Sequence, residues 1–102
     1  MNKLIIDTTD NSKTTIELHY ESKKDIITEK SIPKSQSTLL IIDKILKKNG
    51  LKPTQIEEIE VNTGPGSFTG TRVGVAIANA LRFGLDAKVN GSKTKQATPK
   101  YF

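Results

Sequence analysis

Short apolar segments separated by polar turns make up the first thirty residues. The apolar run at Lys3–Asp7 predicts a buried strand. Apolar and polar side chains then alternate from Thr14 to Tyr20, which predicts a second strand that is covered on one face. Residues 25–30 predict a third strand. Because only short turns, the second of them at 21–24, separate these strands, the pattern predicts an antiparallel three-stranded meander.

A helical period follows the meander. Ser35 or Ser37 would cap a helix that runs to about Asn49 and stops at Gly50. Its apolar side chains fall within roughly 160° of arc, which suits a face packed on a sheet. That face contains Leu39, Ile41, Ile42, Ile45 and Leu46. Leu40 falls outside the face and is predicted to be exposed.

The second half of the chain repeats the order of strand and helix. A linker at 51–55, with room for one short helical turn, leads to a fourth strand at 56–62. Since a helix separates this strand from the meander, its pairing is predicted to be parallel. A glycine-rich turn at 64–70 opens a second helix near Thr69 that ends at Gly84, and 86–90 predicts a short last strand. The predicted fold class is α/β, in the order βββαβαβ, with a mixed sheet and two main helices.

The second helix has an unusually wide apolar side. Its glycine, alanine and aliphatic residues cover roughly 220° of arc, whereas packing on one sheet needs a stripe of about 100°. Gly70, Gly74 and Ala78, spaced four apart, would let another helix approach closely. The helix is therefore predicted to be buried on two sides, by internal packing alone or with an external partner. Its remaining side combines Thr71, Arg72, Val75, Asn79 and Arg82.

Composition narrows the function classes. The chain has 102 residues, enough for one domain with a modest core, and only 34% of them are apolar. It has no cysteine, which excludes disulfides and thiolate metal sites. Without a signal peptide or membrane span in the sequence, a soluble cytoplasmic protein is expected. The net charge of +5 would suit an RNA-associated protein, but the lysines are interspersed with acids, so a solvated surface is favoured over direct nucleic-acid readout.

The glycine-rich turn is the main candidate for chemistry. It lacks the Gly-Lys-Ser/Thr of a Walker A loop, yet its glycines permit close backbone approach and its hydroxyls can cap the following helix. A bound anion and a purely structural elbow both fit this pattern. The candidate anion or nucleotide residues are Asp7, Thr8, Gly64, Gly66, Ser67, Thr69 and Gly70. His19 has no partner at metal-ligand spacing, so no metal site and no catalytic residue are predicted.

The glycine turn and its helix also carry a resemblance. The stretch from Gly64 to Leu81 resembles the signature of the TsaB (YeaZ) family, and Leu4-Ile5-Ile6-Asp7-Thr8-Thr9 is similar to its opening strand. The segment from Lys34 to Leu46 is similar to the family's first helix, although the family usually has His at the position of Lys34. The ending Pro99-Lys100-Tyr101-Phe102 looks like its closing Pro-x-Tyr motif.

The resemblance implies a ribonuclease H-like (ASKHA) half-domain at 1–90 followed by a basic C-terminal tail at 91–102. It implies a non-catalytic subunit that pairs with a catalytic TsaD-like subunit in forming N6-threonylcarbamoyladenosine at position 37 of tRNA. A TsaE-like ATPase would join the assembly, with tRNA bound indirectly and with ATP and Mg²⁺ in the assembled complex; no cofactor is assigned to this chain. Because the resemblance covers only the family's N-terminal domain, it implies a single-domain form without the contacts that need both domains.

The expected partner surface lies on the two helices. Its candidate residues are Leu40, Ile41, Lys44, Gly70, Val73, Gly74, Ile77, Ala78 and Leu81. Two alternatives stay open. One is an actin-like enzyme that binds a nucleotide at Asp7 and the Gly64–Gly70 loop. The other is a homodimer that uses the same helices, since an isologous helix pair would hide the same surface.

Overall fold

The order of elements agrees with the order predicted from the pattern. The computed structural model describes residues 2–100. The elements are β1 (Lys3–Asp7), β2 (Thr14–Tyr20), β3 (Lys23–Glu29), α1 (Ser35–Lys48), a 3-10 turn (Pro53–Gln55), β4 (Glu58–Val61), α2 (Phe68–Leu85) and β5 (Lys88–Val89). The α/β class and the βββαβαβ order are confirmed.

The strands form one mixed sheet in the order β3-β2-β1-β4-β5. β1 pairs antiparallel with β2 and β2 with β3, which confirms the meander. β1 pairs in parallel with β4, and β4 in parallel with β5, which confirms the crossover through α1. The register places Ile6 opposite both Ile16 and Val61, so these three side chains share one face of the sheet.

The core lies between that face and the two helices. Ile6, Ile16 and Ile59 are fully buried, and Ile45 of α1 and Ala78 of α2 close the core from the other side. The opposite sheet face presents mixed side chains along the same strands, such as the cross-strand pair Glu17 and Ile26. Because each strand alternates buried and more exposed side chains, a sheet covered on one side by helices follows directly from the period of two.

Some element boundaries differ from the sequence predictions. The second turn holds only Glu21 and Ser22, because Glu21 adopts a positive φ of 54° and β3 resumes pairing at Lys23. The predicted serine cap of α1 is wrong. Lys34 occupies the N-cap position without a side-chain cap, and the Ser37 hydroxyl instead donates to the Lys34 carbonyl.

The side chains of α1 differ in exposure, and Leu40 lies outside the buried apolar face. Leu40 is 64% exposed, as predicted. Leu39, which was expected on the sheet-facing arc, is 45% exposed, so the buried arc is narrower than the sequence indicates. The apolar side chains of α1 that do pack inside are Ile41, Ile42, Ile45 and Leu46.

A series of side-chain hydrogen bonds connects the C-terminal end of α1 to the edge strand β3. The Tyr20 hydroxyl donates to Asn49 Oδ1, and Asn49 Nδ2 donates to Asp25 Oδ2 at 2.9 Å. This hydrogen bond from Asn49, with help from the Lys48 ammonium, holds the pKa of Asp25 below its ordinary value. The charged carboxylate therefore joins β3 to the C-terminal turn of α1.

The C-terminal segment, defined here as residues 92–100, is attached to α2 and is not the loose tail that its composition suggests. The Asn79 side chain donates to the Ala97 carbonyl and accepts from the Ala97 amide, both at 3.0 Å. Arg82 donates to the Lys95 carbonyl, and the Lys100 amide donates to the Thr63 carbonyl. Asn79 and Arg82, on the polar side of α2, are thus covered from within the chain. Tyr101 and Phe102 lie outside the described residues.

No helix within residues 2–100 has the length and apolar composition needed to cross a membrane.

Candidate functional site

The glycine-rich loop launches α2 from the end of the sheet. Ser67 is the N-cap, and its hydroxyl accepts from the Gly70 amide at 3.2 Å, as the sequence predicts. The Ser67 amide donates to the Thr9 carbonyl, which fixes the loop against the residues that follow β1. Gly64 has a φ of +100° and precedes a cis peptide bond to Pro65. The loop is therefore held to the carboxyl end of β1 by its main chain.

The glycines of this loop allow close approach to the protein's own strand. A Cβ atom at Gly66 would lie 2.6 Å from Thr9 Cβ, and one at Gly70 would lie 2.3 Å from the Thr8 carbonyl oxygen. These distances are shorter than van der Waals contact, so neither position accepts a side chain without a shift of the backbone. The space that these glycines open is occupied by Thr8 and Thr9 of the protein's own chain.

Thr8 connects β1 to the first turns of α2. Its buried hydroxyl donates to the Gly70 carbonyl at 2.6 Å and accepts from the Gly74 amide at 3.0 Å. A Cβ atom at Gly74 would come within 2.3 Å of this hydroxyl oxygen. One threonine therefore binds the carbonyl of Gly70 and the amide of Gly74, four residues apart in the helix, and Gly74 makes the contact sterically possible.

The Asp7 carboxylate is also used within the site. Asp7 Oδ1 accepts from the Thr9 amide at 3.0 Å and from the Thr9 hydroxyl at 2.7 Å. Asp7 Oδ2 accepts from Asn62 Nδ2 at 3.2 Å, and Asn62 Oδ1 accepts from the Gly64 amide. The structure brings Asp7, Thr8 and the loop together as predicted, but these groups bind one another. The arrangement is that of a strand-to-helix joint.

Several residues expected on a partner surface are instead inside the protein. Gly70, Gly74 and Ala78 face the sheet, and Ile41 is also buried. The surface that the three small residues were expected to offer to an outside helix is taken up within the protein, for Gly70 and Gly74 by Thr8 directly after β1. The spacing of four was a correct sign of close packing, and the partner of that packing is the protein's own strand.

An apolar groove lies between the two helices and remains open to solvent. We call it the helix groove and define it by Ser35, Leu39, Val73, Ala76, Ile77, Ala80 and Leu81; Thr69 and Arg72 line its end near the start of α2. Its floor is Ile77, which is 6% exposed, while Ala76 and Ala80 lie exposed along α2. The small alanine side chains keep the groove shallow, so another helix could pack closely against it.

The sequence identified part of this groove. Val73, Ile77 and Leu81 were among the candidate contacts and line it, whereas Leu40 and Lys44 are exposed elsewhere on α1. At about 100° per residue, Leu40 stands a quarter turn from Leu39, which does line the groove. The residues that were missed are Ser35, Leu39, Ala76 and Ala80. The two alanines, spaced four apart like the glycines, were the available signal.

His19 is not part of a metal-ligating cluster in the described residues. Its Nε2 lies 3.7 Å from Glu17 Oε2, on the sheet face away from the helices. Among residues 2–100 there is no group of three or more histidine, cysteine, aspartate and glutamate side chains that could hold a metal ion.

Comparisons with known proteins agree with the fold. A family model described as "TsaD: tRNA N6-adenosine threonylcarbamoyltransferase" matches residues 21–98. The solved structure titled "YeaZ from Pseudomonas aeruginosa" superposes with a TM-score of 0.81 at 25% identity, covering 86% of this chain and 41% of that one. The mixed five-stranded sheet with its two helices fits the ribonuclease H-like fold.

Curated relatives carry the name "tRNA threonylcarbamoyladenosine biosynthesis protein TsaB". The protein of that name from Haemophilus influenzae is 40% identical over 75 residues, which is 72% of this chain and 32% of the relative. The one from Escherichia coli is 37% identical over 60 residues, which is 59% of this chain and 26% of the relative. The chain thus spans about a third or less of these relatives. It belongs to the family that the matching model describes, as a member of the TsaB (YeaZ) family that corresponds to the N-terminal part of its longer relatives.

Proposed function

We propose that this chain is a non-catalytic subunit in the formation of N6-threonylcarbamoyladenosine at position 37 of tRNA, and that it binds a TsaD-like catalytic subunit through the helix groove. The names of its relatives support the pathway. In this proposal ATP and Mg²⁺ act in the assembled complex, to which a TsaE-like ATPase would belong, and tRNA is bound by the assembly.

The helix groove is the observation that carries the proposal. Leu39 remains 45% exposed at one side of the groove, and the exposed Ala76 and Ala80 form the other. A helix of a partner could bury this apolar surface at short interaxial distance, which is favourable because each buried Å² of apolar area contributes about 25 cal/mol. The solvent-facing side of α1 near Leu40 and Lys44 would form the margin of the same interface.

The contacts of the glycine loop favour a non-catalytic role of this chain over a catalytic one. Both oxygens of the Asp7 carboxylate already accept hydrogen bonds, and Gly66 and Gly70 are filled by the main chain after β1. A nucleotide-binding enzyme would need these groups to be turned toward a ligand. The alternative of an actin-like nucleotide enzyme therefore lacks a specific observation in its favour.

The proposal is tested with the cognate TsaD-like subunit and two variants that add the same charge. Ala80→Arg places a guanidinium in the helix groove, whereas Asn11→Arg places it in an exposed loop. We expect Ala80→Arg to weaken association at least about tenfold and to reduce threonylcarbamoyladenosine formation in a reconstituted reaction, since an unpaired charge would be desolvated. Asn11→Arg should leave both unchanged.

Retained binding and modification in Ala80→Arg, with the folded state verified by circular dichroism, would remove the helix groove from the interface. Sedimentation velocity of the isolated chain at rising concentration tests the homodimer alternative, because it shows whether the chain associates with itself. A dimer that Ala80→Arg dissociates, together with no binding to the TsaD-like subunit, would assign the groove to a second copy of this chain.

A further inference from the structure

The positive charge of the chain is concentrated at its C-terminal end. Residues 87–102 contain four lysines and no acidic residue, whereas residues 1–86 contain twelve basic and eleven acidic side chains. The first 86 residues are thus almost neutral. The net charge of +5 comes mainly from Lys88, Lys93, Lys95 and Lys100. The even spread of lysines that the sequence suggested does not extend to this part of the chain.

The fold holds part of this charge in place along α2. The main chain of the C-terminal segment is bound by Asn79 at Ala97 and by Arg82 at Lys95, while the side chains of Lys93 and Lys95 stay exposed. Arg82 is only 6% exposed and is occupied by the Lys95 carbonyl. Because the hydrogen bonds use the main chain of the segment, its ammonium groups remain available to a ligand.

A basin lies where this segment meets the end of α2. We call it the basic basin; it has a volume of about 510 Å³ and is lined by Arg82, Phe83, Asp86, Ala87, Lys93, Thr94 and Gln96. Phe83 is 77% exposed, an unusual state for a phenylalanine. The Arg82 guanidinium carbon lies 5.5 Å from the centre of its ring. The basin therefore combines an exposed aromatic ring, an ammonium group and hydrogen-bonding side chains from Thr94 and Gln96.

We propose that the basic basin binds single-stranded nucleic acid, with a base stacked on Phe83 and the phosphates beside it contacted by Lys93, which lines the basin, and by the exposed Lys95 of the same segment. This goes beyond the proposed pairing with a TsaD-like subunit. An aromatic platform next to lysines matches an unpaired strand, because an unstacked base offers a flat face and the backbone offers one charge per nucleotide. A polyanion without bases would use the lysines and leave Phe83 unused.

Asp86 is the one acidic side chain in the basin. Its Oδ2 lies 4.0 Å from Lys93 Nζ, and both side chains are exposed, so water screens this pair. A phosphate would compete with Asp86 for the lysine. Since Asp86 has a φ of 53°, which asparagine tolerates, Asp86→Asn removes the competing charge without new backbone strain. This variant should bind nucleic acid more tightly than the unaltered protein.

The experiment uses the isolated chain and fluorescence anisotropy with a labelled oligouridylate of about twelve nucleotides. The double variant Lys93→Gln/Lys95→Gln is compared with Lys13→Gln/Lys30→Gln. The control removes two exposed lysines that are distant in sequence from the C-terminal segment. For the first pair we expect weaker binding and a slope of log affinity against log salt that is shallower by about 1.4, since each phosphate contact on a single strand contributes about 0.7. The second pair should retain the slope of the unaltered protein.

The aromatic contact is tested separately. Phe83→Leu keeps an apolar side chain but removes the stacking surface, so affinity should fall about 5- to 100-fold with no change in the salt slope. Phe83→Trp should restore it. An RNA duplex should bind without dependence on Phe83, and oligothymidylate in place of oligouridylate shows whether RNA or DNA is preferred.

Four results would overturn the proposal. The first two are no binding to either single strand and an equal loss of affinity in the two double lysine variants. The others are an unchanged affinity in Phe83→Leu and competition by polyglutamate as strong as that by unlabelled oligouridylate. The last of these would assign the lysines to an acidic protein surface. The test needs no TsaD-like subunit, so its outcome is independent of the proposed pairing.

Discussion

The two sides of α2 contain similar small residues and serve different purposes. Gly70 and Gly74 come so close to Thr8, directly after β1, that an added methyl group would overlap it. Ala76 and Ala80, on the other side, are exposed and border the helix groove. A small residue on a helix indicates either that another element packs closely against it or that the helix surface is shallow there. Only the position of the neighbouring element distinguishes these two cases.

The largest effect is expected where α2 meets the sheet. Gly74→Ala would place a methyl group 2.3 Å from the Thr8 hydroxyl oxygen and would disturb the bonds from Thr8 to Gly70 and Gly74. We expect the free energy of unfolding to fall by about 2–3 kcal/mol, because overpacking and a strained buried hydrogen bond add. Urea denaturation measures this loss. A change under about 0.5 kcal/mol would mean that the helix can move off β1 freely.

A medium effect is expected where α2 holds the C-terminal segment. Asn79→Ala removes both hydrogen bonds to Ala97, so unfolding should become easier by about 1–2 kcal/mol. Hydrogen exchange of the Ala97 amide should accelerate strongly because its acceptor is lost. Gln96→Ala, at an exposed neighbour, is the control and should leave Ala97 protected. Equal protection in both variants would show that the segment is not held by Asn79.

The smallest effect has the opposite sign. Gly84 lies in the same helix as Gly74, but a Cβ atom there would meet nothing within 4 Å. Gly84→Ala should therefore raise the free energy of unfolding by about 0.5–1 kcal/mol, through the higher helix propensity of alanine. The pair Gly74→Ala and Gly84→Ala makes one chemical change twice in one helix. Destabilisation by both would contradict the difference between the two environments.

The local pattern was sufficient for the fold but less so for the site. The period of two in β2 and the turn residues before it specified a half-covered strand, and Ile16 and Leu18 are buried as expected. The boundaries were less certain because they depend on pairing. β3 begins at Lys23, since two lysines can extend an edge strand whose other side is open to solvent.

The C-terminal segment shows a different limit of prediction from the sequence pattern. Its three lysines and single proline show no hydrophobic period, and this composition suggests a loose tail or an edge segment. Its bonds go from its main chain to the side chains of Asn79 and Arg82, which lie more than ten residues earlier in the chain. Main-chain hydrogen bonds of this kind leave no signature in the segment itself, because every residue but proline has the same amide and carbonyl.

The sequence by itself determined the α/β class, the order of the elements, a hydroxyl cap in the glycine loop and the resemblance to the TsaB (YeaZ) family, because these depend on local periods, turn residues and a long specific motif. The tertiary structure alone decided that Gly70 and Gly74 face β1, that Asp7 is bound by Thr9 and Asn62, and that the open surfaces are the helix groove and the basic basin. The reason is physical. A helix's spacing fixes which residues share a side, but only its packing angle on the sheet fixes which side is buried.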